Sequence, residues 1–210
     1  MIQGRSPVVL VQLEMADAAS LWEGIGFSVF SDQIRVGSTL LDLGAGGAGI
    51  TGWGLSGTDA VSLIEKREGI PTSVMRSPTT KDQTPHPNTA VQIDHVVLTT
   101  QNLTRTQHSL EAAGLTLRRT RQADASTVQC FYRMGEVILE VVGDPRQALD
   151  AAAALWGLIC TVSDLSAAAK SMPGKLGQEK PAVQSGRDIA IVSKSAGLSV
   201  PCGFLSPHRN

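Results

Sequence analysis

Apolar and polar positions along the chain fall into short alternating runs divided by glycine-rich turns, with four stretches of helical spacing among them. Residues 8–13 form a β-branched, apolar run that predicts a strand, and 17–25 set Leu21, Trp22 and Ile25 on one helical face before Gly26. Three short strands are predicted next, at 27–30, 33–36 and 39–43. A strand at 50–55 and a helix at 59–67 then begin a second unit that is cut short. The pattern restarts with a strand at 93–99 and a helix capped by Asn102 with Leu103, Thr106, Leu110 and Ala113 on one face, followed by strands at 115–119, 127–133 and 137–142. A strand at 155–162, a helix over 165–171 capped by Asp164, and strands at 181–183, 189–193 and 198–204 complete it.

The order strand, helix, three strands therefore recurs, and short words recur with it. Arg35-Val36-Gly37 precedes the strand ending at Asp42, as Arg133-Met134-Gly135 precedes the strand holding Glu140. The fold predicted is α+β: tandem βαβββ units forming curled mixed β-sheets with helices on the convex face. Between the two halves Pro71, Pro78, Pro85 and Pro87 stand among Ser, Thr and Asn, a composition that predicts an extended linker. The organisation expected is degenerate units over 1–70, a Pro-rich linker over 71–91, and two full units over 92–210.

Composition narrows the partners. The 210 residues hold 18 Lys and Arg against 19 Asp and Glu without a block of one sign, so no nucleic-acid or anionic-lipid partner is expected, and a small-molecule ligand is. No apolar run approaches the roughly 20 residues of a membrane span, and no signal peptide is expected. Cys130, Cys160 and Cys202 have no CxxC spacing and read as reduced thiols, so the expected location is cytoplasmic.

The words Ile93-Asp94-His95-Val96-Val97-Leu98, the run Phe131-Tyr132-Arg133-Met134-Gly135-Glu136-Val137-Ile138-Leu139-Glu140-Val141-Val142, and Leu155-Trp156-Gly157-Leu158 resemble the vicinal-oxygen-chelate superfamily, which includes glyoxalase I, bleomycin-resistance proteins and extradiol dioxygenases. The resemblance covers about half the chain well. It implies a half-open sheet holding a divalent metal, with one ligand from the first strand and one from the fourth strand of each unit. His95 and Glu140 match these positions in one unit, and an imidazole with a carboxylate suits Zn, Fe, Mn or Ni.

The other units match less fully. Aligning Gly197 with Gly135 and Pro207 with Pro145 puts Cys202 in the place of Glu140 and Gly157 in the place of His95, whereas a one-residue slip turns Pro201 inward instead. The first unit offers Asp42 for the carboxylate and Pro7 or Val8 for the histidine. A metal site of His95, Glu140 and Asp42 results if the first unit packs beside the third. Without a metal, His95 is a cavity histidine hydrogen-bonded by Glu140. Arg133, Trp156 and Cys202 are the substrate-binding candidates, although Arg133 also reads as a partner for a carboxylate of its own unit, Trp156 as core or cavity wall, and Cys202 as a small core residue.

Leu43-Gly44-Ala45-Gly46-Gly47-Ala48-Gly49 contains a GxGxxG and suggests an S-adenosylmethionine-dependent methyltransferase as a less favoured alternative. The glycines run on into Ile50-Thr51-Gly52-Trp53-Gly54, which disfavours the helix a nucleotide-binding turn should open. His86 and His208 read as solvated, and His108 as lying on the polar side of its helix. The function expected is glyoxalase-like binding of a small organic molecule, with lyase, isomerase or oxygenase chemistry carried by Glu140 and His95. The alternative is metal-free sequestering similar to bleomycin-resistance proteins, and the incomplete units make a homodimer an expectation.

Overall fold

A computed structural model describes residues 7–57, 61–77 and 84–208. The first half comprises β1 (Val9–Met15), α1 (Ala19–Glu23), β2 (Gln33–Val36), β3 (Thr39–Asp42), β4 (Ile50–Ser56), α2 (Val61–Glu68) and β5 (Thr72–Val74). The second comprises β6 (Ala90–Thr99), α3 (Leu103–Ala112), β7 (Leu117–Gln122), β8 (Val128–Met134), β9 (Val137–Gly143), β10 (Ala154–Val162), α4 (Leu165–Ser171), β11 (Lys180–Pro181), β12 (Asp188–Ile191) and β13 (Cys202–Leu205). They form a five-stranded sheet, β2-β3-β1-β4-β5, and an eight-stranded sheet, β11-β12-β13-β10-β6-β9-β8-β7. The fold is thus mixed α+β with repeated βαβββ-type units.

Each unit closes by laying its last strand parallel to its first: β3 on β1, β5 on β4, β9 on β6 and β13 on β10. The two first strands of each sheet meet antiparallel at its centre. Two-residue hairpins with Gly37 (φ 61°) and Gly135 (φ 65°) in the first loop position join β2 to β3 and β8 to β9, a backbone sign that glycine adopts without strain. Asn102 and Asp164 accept from the amides of Arg105 and Ala167, capping α3 and α4 as expected. One face of each sheet packs under the helices, burying Leu13, Trp53, Val96, Leu98, Leu139 and Cys160 in a continuous core. The other face is open.

A repeated irregularity fixes which residues reach the open face. Val11, Thr51, Asp94 and Trp156 are each an extra, bulged residue in the pairing of the central strands. Each directly precedes a residue in one equivalent position: Gln12, Gly52, His95 and Gly157.

The halves are joined through polar groups as well as core. Glu68, fully buried at the end of α2, accepts from both Nε and Nη2 of Arg105 (3.3 and 3.2 Å), from Thr106 Oγ1 (2.6 Å) and from Ser109 Oγ (2.7 Å) on α3. A buried carboxylate with four donors is tolerated because its lone pairs are met.

Three sequence expectations change. Residues 27–30 form no strand, because Ser28 gives its amide to His86 Nδ1 (3.1 Å) and its hydroxyl to the Pro85 carbonyl (2.8 Å), taking that backbone away from a sheet. His86 is buried rather than solvated: its Nε2 lies 2.9 Å from the Arg35 carbonyl and its ring stands edge-on to Phe27, and burial lowers its pKa. Within the stretch read as an extended linker, β5 pairs with β4, and Asn88 is buried with its amide donating to the Ile25 carbonyl (2.9 Å).

Candidate functional site

The open face of the eight-stranded sheet encloses a cavity of about 580 Å³, in the range of small-molecule sites. His95 on β6 and Glu140 on β9 stand in its floor, with Ile138, Phe131 and Leu205 as apolar neighbours. Register explains the meeting: His95 pairs with Ile138 and Val97 with Glu140, so imidazole and carboxylate share a face one step apart on adjacent parallel strands. His95 Nε2 lies 3.7 Å from Glu140 Oε2, and Gln129 on β8 donates to Glu140 Oε1 at 2.6 Å.

Behind His95 stands a network the sequence did not reveal. The bulge at Asp94 brings its carboxylate to His95 Nδ1 at 2.9 Å, and Asp94 also accepts from Arg187 Nη1 (2.7 Å) and Thr161 Oγ1 (3.2 Å). Burial alone would raise the Asp94 carboxyl, but the hydrogen bonds and charges of His95 and Arg187 outweigh it and hold the pKa at about 2. An ionised Asp94 is acceptor only, so Nδ1 carries a proton, and in the neutral ring Nε2 presents its lone pair to the cavity. Nε2 and the Glu140 carboxylate are then two acceptors side by side, too far apart for a bond of their own and open to a proton between them.

The sequence-predicted residues divide in two. His95, Glu140 and Arg133 all line the cavity. Asp42 lies on β3 of the other sheet, where Gln12 and Gln33 donate to it at 3.4 and 3.2 Å. Trp156 is the bulged residue of β10, about half exposed and outside the cavity lining. Cys202 pairs with Leu158 and faces the helix-covered side beside Cys160, whose thiol is pushed up by its hydrogen bond to Cys202 and by burial. On the open face β13 presents Gly203 and Leu205, the register of the slipped alternative, and Gly203 occupies the place of Glu140. Gly157 does stand in the place of His95, so close to the neighbouring strand that a Cβ there would meet the Pro201 carbonyl oxygen at 2.5 Å. In the first unit the place of His95 belongs to Gln12, not Pro7 or Val8: Gln12 follows the bulge at Val11 and pairs with Leu40, two residues before Asp42, as His95 pairs with Ile138, two residues before Glu140.

The chain aligns in three dimensions with a variant of 4-hydroxymandelate synthase from Streptomyces coelicolor over 97% of its own length and 94% of the other, with a TM-score of 0.60 at 11% identity. The vicinal-oxygen-chelate fold is present across both sheets. A xylose isomerase-like TIM barrel/4-hydroxyphenylpyruvate dioxygenase fusion protein gives a TM-score of 0.61 at 10% identity, over 98% of this chain and 50% of that one. Methylmalonyl-CoA epimerase from Mycobacterium tuberculosis matches over 58% of this chain and 91% of its own, with a TM-score of 0.46 at 14% identity. No family model matches the chain, and no curated protein matches its sequence. The likeness is one of vicinal-oxygen-chelate fold, and function rests on the site.

That fold implies a divalent metal, and the donor set can be tested against it. Asp94 holds His95 as outer-shell carboxylates hold metal-bound imidazoles. A catalytic zinc site keeps three protein ligands, however, and here Gly157 and Gly203 fill the two positions that a second unit would supply. Among the described residues no group of three His, Cys, Asp or Glu side chains is arranged to hold a metal ion. The residues present do not fit a resident metal with three protein ligands.

Around the glycine-rich loop, Gly44, Gly46, Gly47 and Gly49 all have φ near 80° and lead straight into β4, with no helix at the turn. Among the described residues no helix is long and apolar enough to cross a membrane.

Proposed function

We propose that the protein binds a small organic molecule in the cavity of the eight-stranded sheet and acts on it by proton transfer, as an isomerase or lyase without a resident metal. The observation supporting this is the pair of acceptors in the cavity floor, His95 Nε2 and Glu140 Oε2 at 3.7 Å, with Asp94 fixing the far side of the imidazole. A carbon acid beside a carbonyl, placed between them, meets a base on either side. His95 takes the proton at Nε2, and the imidazolium formed lies between Asp94 and Glu140, two carboxylates that stabilise it until the proton is returned to a neighbouring atom. Gln129 holds Glu140 in place through Oε1 and leaves Oε2 toward His95. In this reading residues 92–210 carry the activity, and 1–70 are a degenerate pair of units.

The test is deuterium exchange. A panel of carbonyl compounds incubated with the protein in D2O and followed by ¹H NMR should lose α-proton signal in at least one member, equally with and without EDTA, and should keep it with Glu140→Gln or His95→Ala. Exchange that EDTA abolishes, together with stoichiometric metal by mass spectrometry that His95→Ala loses, would replace this mechanism with a metal-dependent one. Binding of a ligand without exchange would leave a sequestering protein.

A further inference from the structure

The wall of the cavity opposite β12 carries a charge pattern at odds with the chain as a whole. Against a formal net charge of −1 for all 210 residues, Arg118, Arg119, Arg121 and Arg133 line this one cavity, and Glu140 is the only carboxylate among its lining residues. None of the four arginines forms an ion pair with a carboxylate among the described residues. β7 is an edge strand, and charges there can serve simply to keep the edge from pairing. Register argues for more: Arg119 lies opposite Phe131 and Arg121 opposite Gln129, so both stand on the open face with Arg133, while Thr120 between them turns to the other face, its hydroxyl 4.0 Å from Cys130 Sγ. An edge guard has no need to gather its cations on the face that bears the cavity.

Resting on the small-molecule reading above, we infer that the ligand is an organic anion, a carboxylate or phosphate monoester, whose acidic head is held by Arg119, Arg121 and Arg133 and whose apolar body lies along Phe131 and Ile138 toward His95. Guanidinium forks bind such heads through paired hydrogen bonds, and unpaired guanidiniums lining one wall repel each other until an anion enters. Spacing adds a constraint. From β7 across β8 and β9 to β6 is three strand intervals, roughly 14 Å at about 4.8 Å each, part of which the long arginine side chains bridge. The acidic head is therefore separated from the reacting carbon by an apolar spacer and is not directly attached to it.

Three naphthalene probes of one body test this: 1-naphthylacetate, 1-naphthyl phosphate and the neutral 1-naphthylacetamide, titrated by ligand fluorescence and by NMR shifts of the His95 ring. One or both acids should bind at least about tenfold tighter than the amide, a difference of about 1.4 kcal/mol. The double variant R119A/R121A should bring acid down to the level of amide without weakening the amide, and the tighter of the two acids identifies the head group. Equal binding of acid and amide, with His95 shifts, overturns the anion and leaves the cavity reading standing. Acid preference that survives R119A/R121A also overturns it. Binding that leaves the His95 ring unmoved, or no binding of any probe to folded protein, overturns both.

Discussion

The two sheets hold the same constellation in two chemistries. On the eight-stranded sheet His95, Glu140 and Gln129 form a chain in which Gln129 Nε2 donates to Glu140 and Glu140 faces His95. On the five-stranded sheet Gln12 and Asp42 stand in the places of His95 and Glu140, and Asp42 accepts from Gln12 and from Gln33, which lies opposite it where Phe131 lies opposite Glu140. In the first case the carboxylate meets a titratable ring; in the second it is satisfied by two groups that cannot exchange a proton near neutral pH. Behind the ring stands Asp94, and behind Gln12 the same bulged position holds buried, apolar Val11. The open faces differ too: the second holds a cavity, whereas on the first Met75 packs so closely over Gly54 that a Cβ there would run into its side chain. A shared backbone thus supplies positions, and the chemistry depends on two side chains and on whether the face is left empty.

The strongest test of the comparison is whether the halves are one cooperative body. Glu68→Ala removes the shared acceptor of Arg105, Thr106 and Ser109, each of which keeps one other acceptor or more, and should cost about 3–4 kcal/mol, read as a lowered urea midpoint. Loss of stability below about 1 kcal/mol would mean that the clamp does not join them. Asp94→Val gives the active bulge the residue of its silent counterpart. It should cost about 3 kcal/mol by leaving Arg187 buried without a carboxylate, and should let the His95 proton move to Nε2, visible in imidazole ¹⁵N shifts. An unchanged tautomer would remove Asp94 from the positioning of His95.

Acid should act on the two halves in sequence. His86 is held below its ordinary value by burial, so its neutral form favours folding, and stability falls as pH drops below about 6.5. Asp94 is also depressed, and its contribution, about 2 kcal/mol, is present at neutral pH and lost as pH falls from the ordinary 3.8 through about 2. Unfolding followed against pH should show both steps, and Asp94→Asn should flatten only the lower one. The smallest effect belongs to Gln12→His, which restores an imidazole to the silent sheet. Stability should change by no more than about 0.5 kcal/mol, and no naphthyl probe should shift the new ring while Met75 covers the face.

Much of this was legible in the sequence. Most elements of the second half, both helix caps and the meeting of His95 and Glu140 on one face follow from periodicity, turn glycines and the family resemblance, although the expected hydrogen bond between those two side chains is not formed at 3.7 Å. Asp94 was not legible, for a definite reason: in a regular strand neighbours point to opposite faces, so a residue beside an inward histidine reads as belonging to the core side. Only the bulge, set by pairing with a strand some 60 residues away, turns it to His95. The arginine wall was hidden the same way, since the face chosen by Arg119 and Arg121 depends on the register with β8. Cys202 yields the place of Glu140 to Gly203 through a one-residue shift, and the burial of His86 is hidden because proline-rich neighbours say nothing about the partners, here Ser28 and Arg35, that hold the ring.

The contact at Gly157 bears on what this scaffold can become. With the Pro201 carbonyl where a Cβ would sit, a histidine cannot be placed there without moving the β13 backbone, and at Gly203 a Cβ would meet Ile159 and Ile191 at 2.7 and 2.8 Å. The place of His95 is walled off by backbone, whereas at Gly203 only the side-chain ends of Ile159 and Ile191 stand in the way. A histidine in that place on β10 therefore demands a shift of backbone as well as a substitution, so the protein sits in a valley from which the second unit's imidazole is not one mutational step distant.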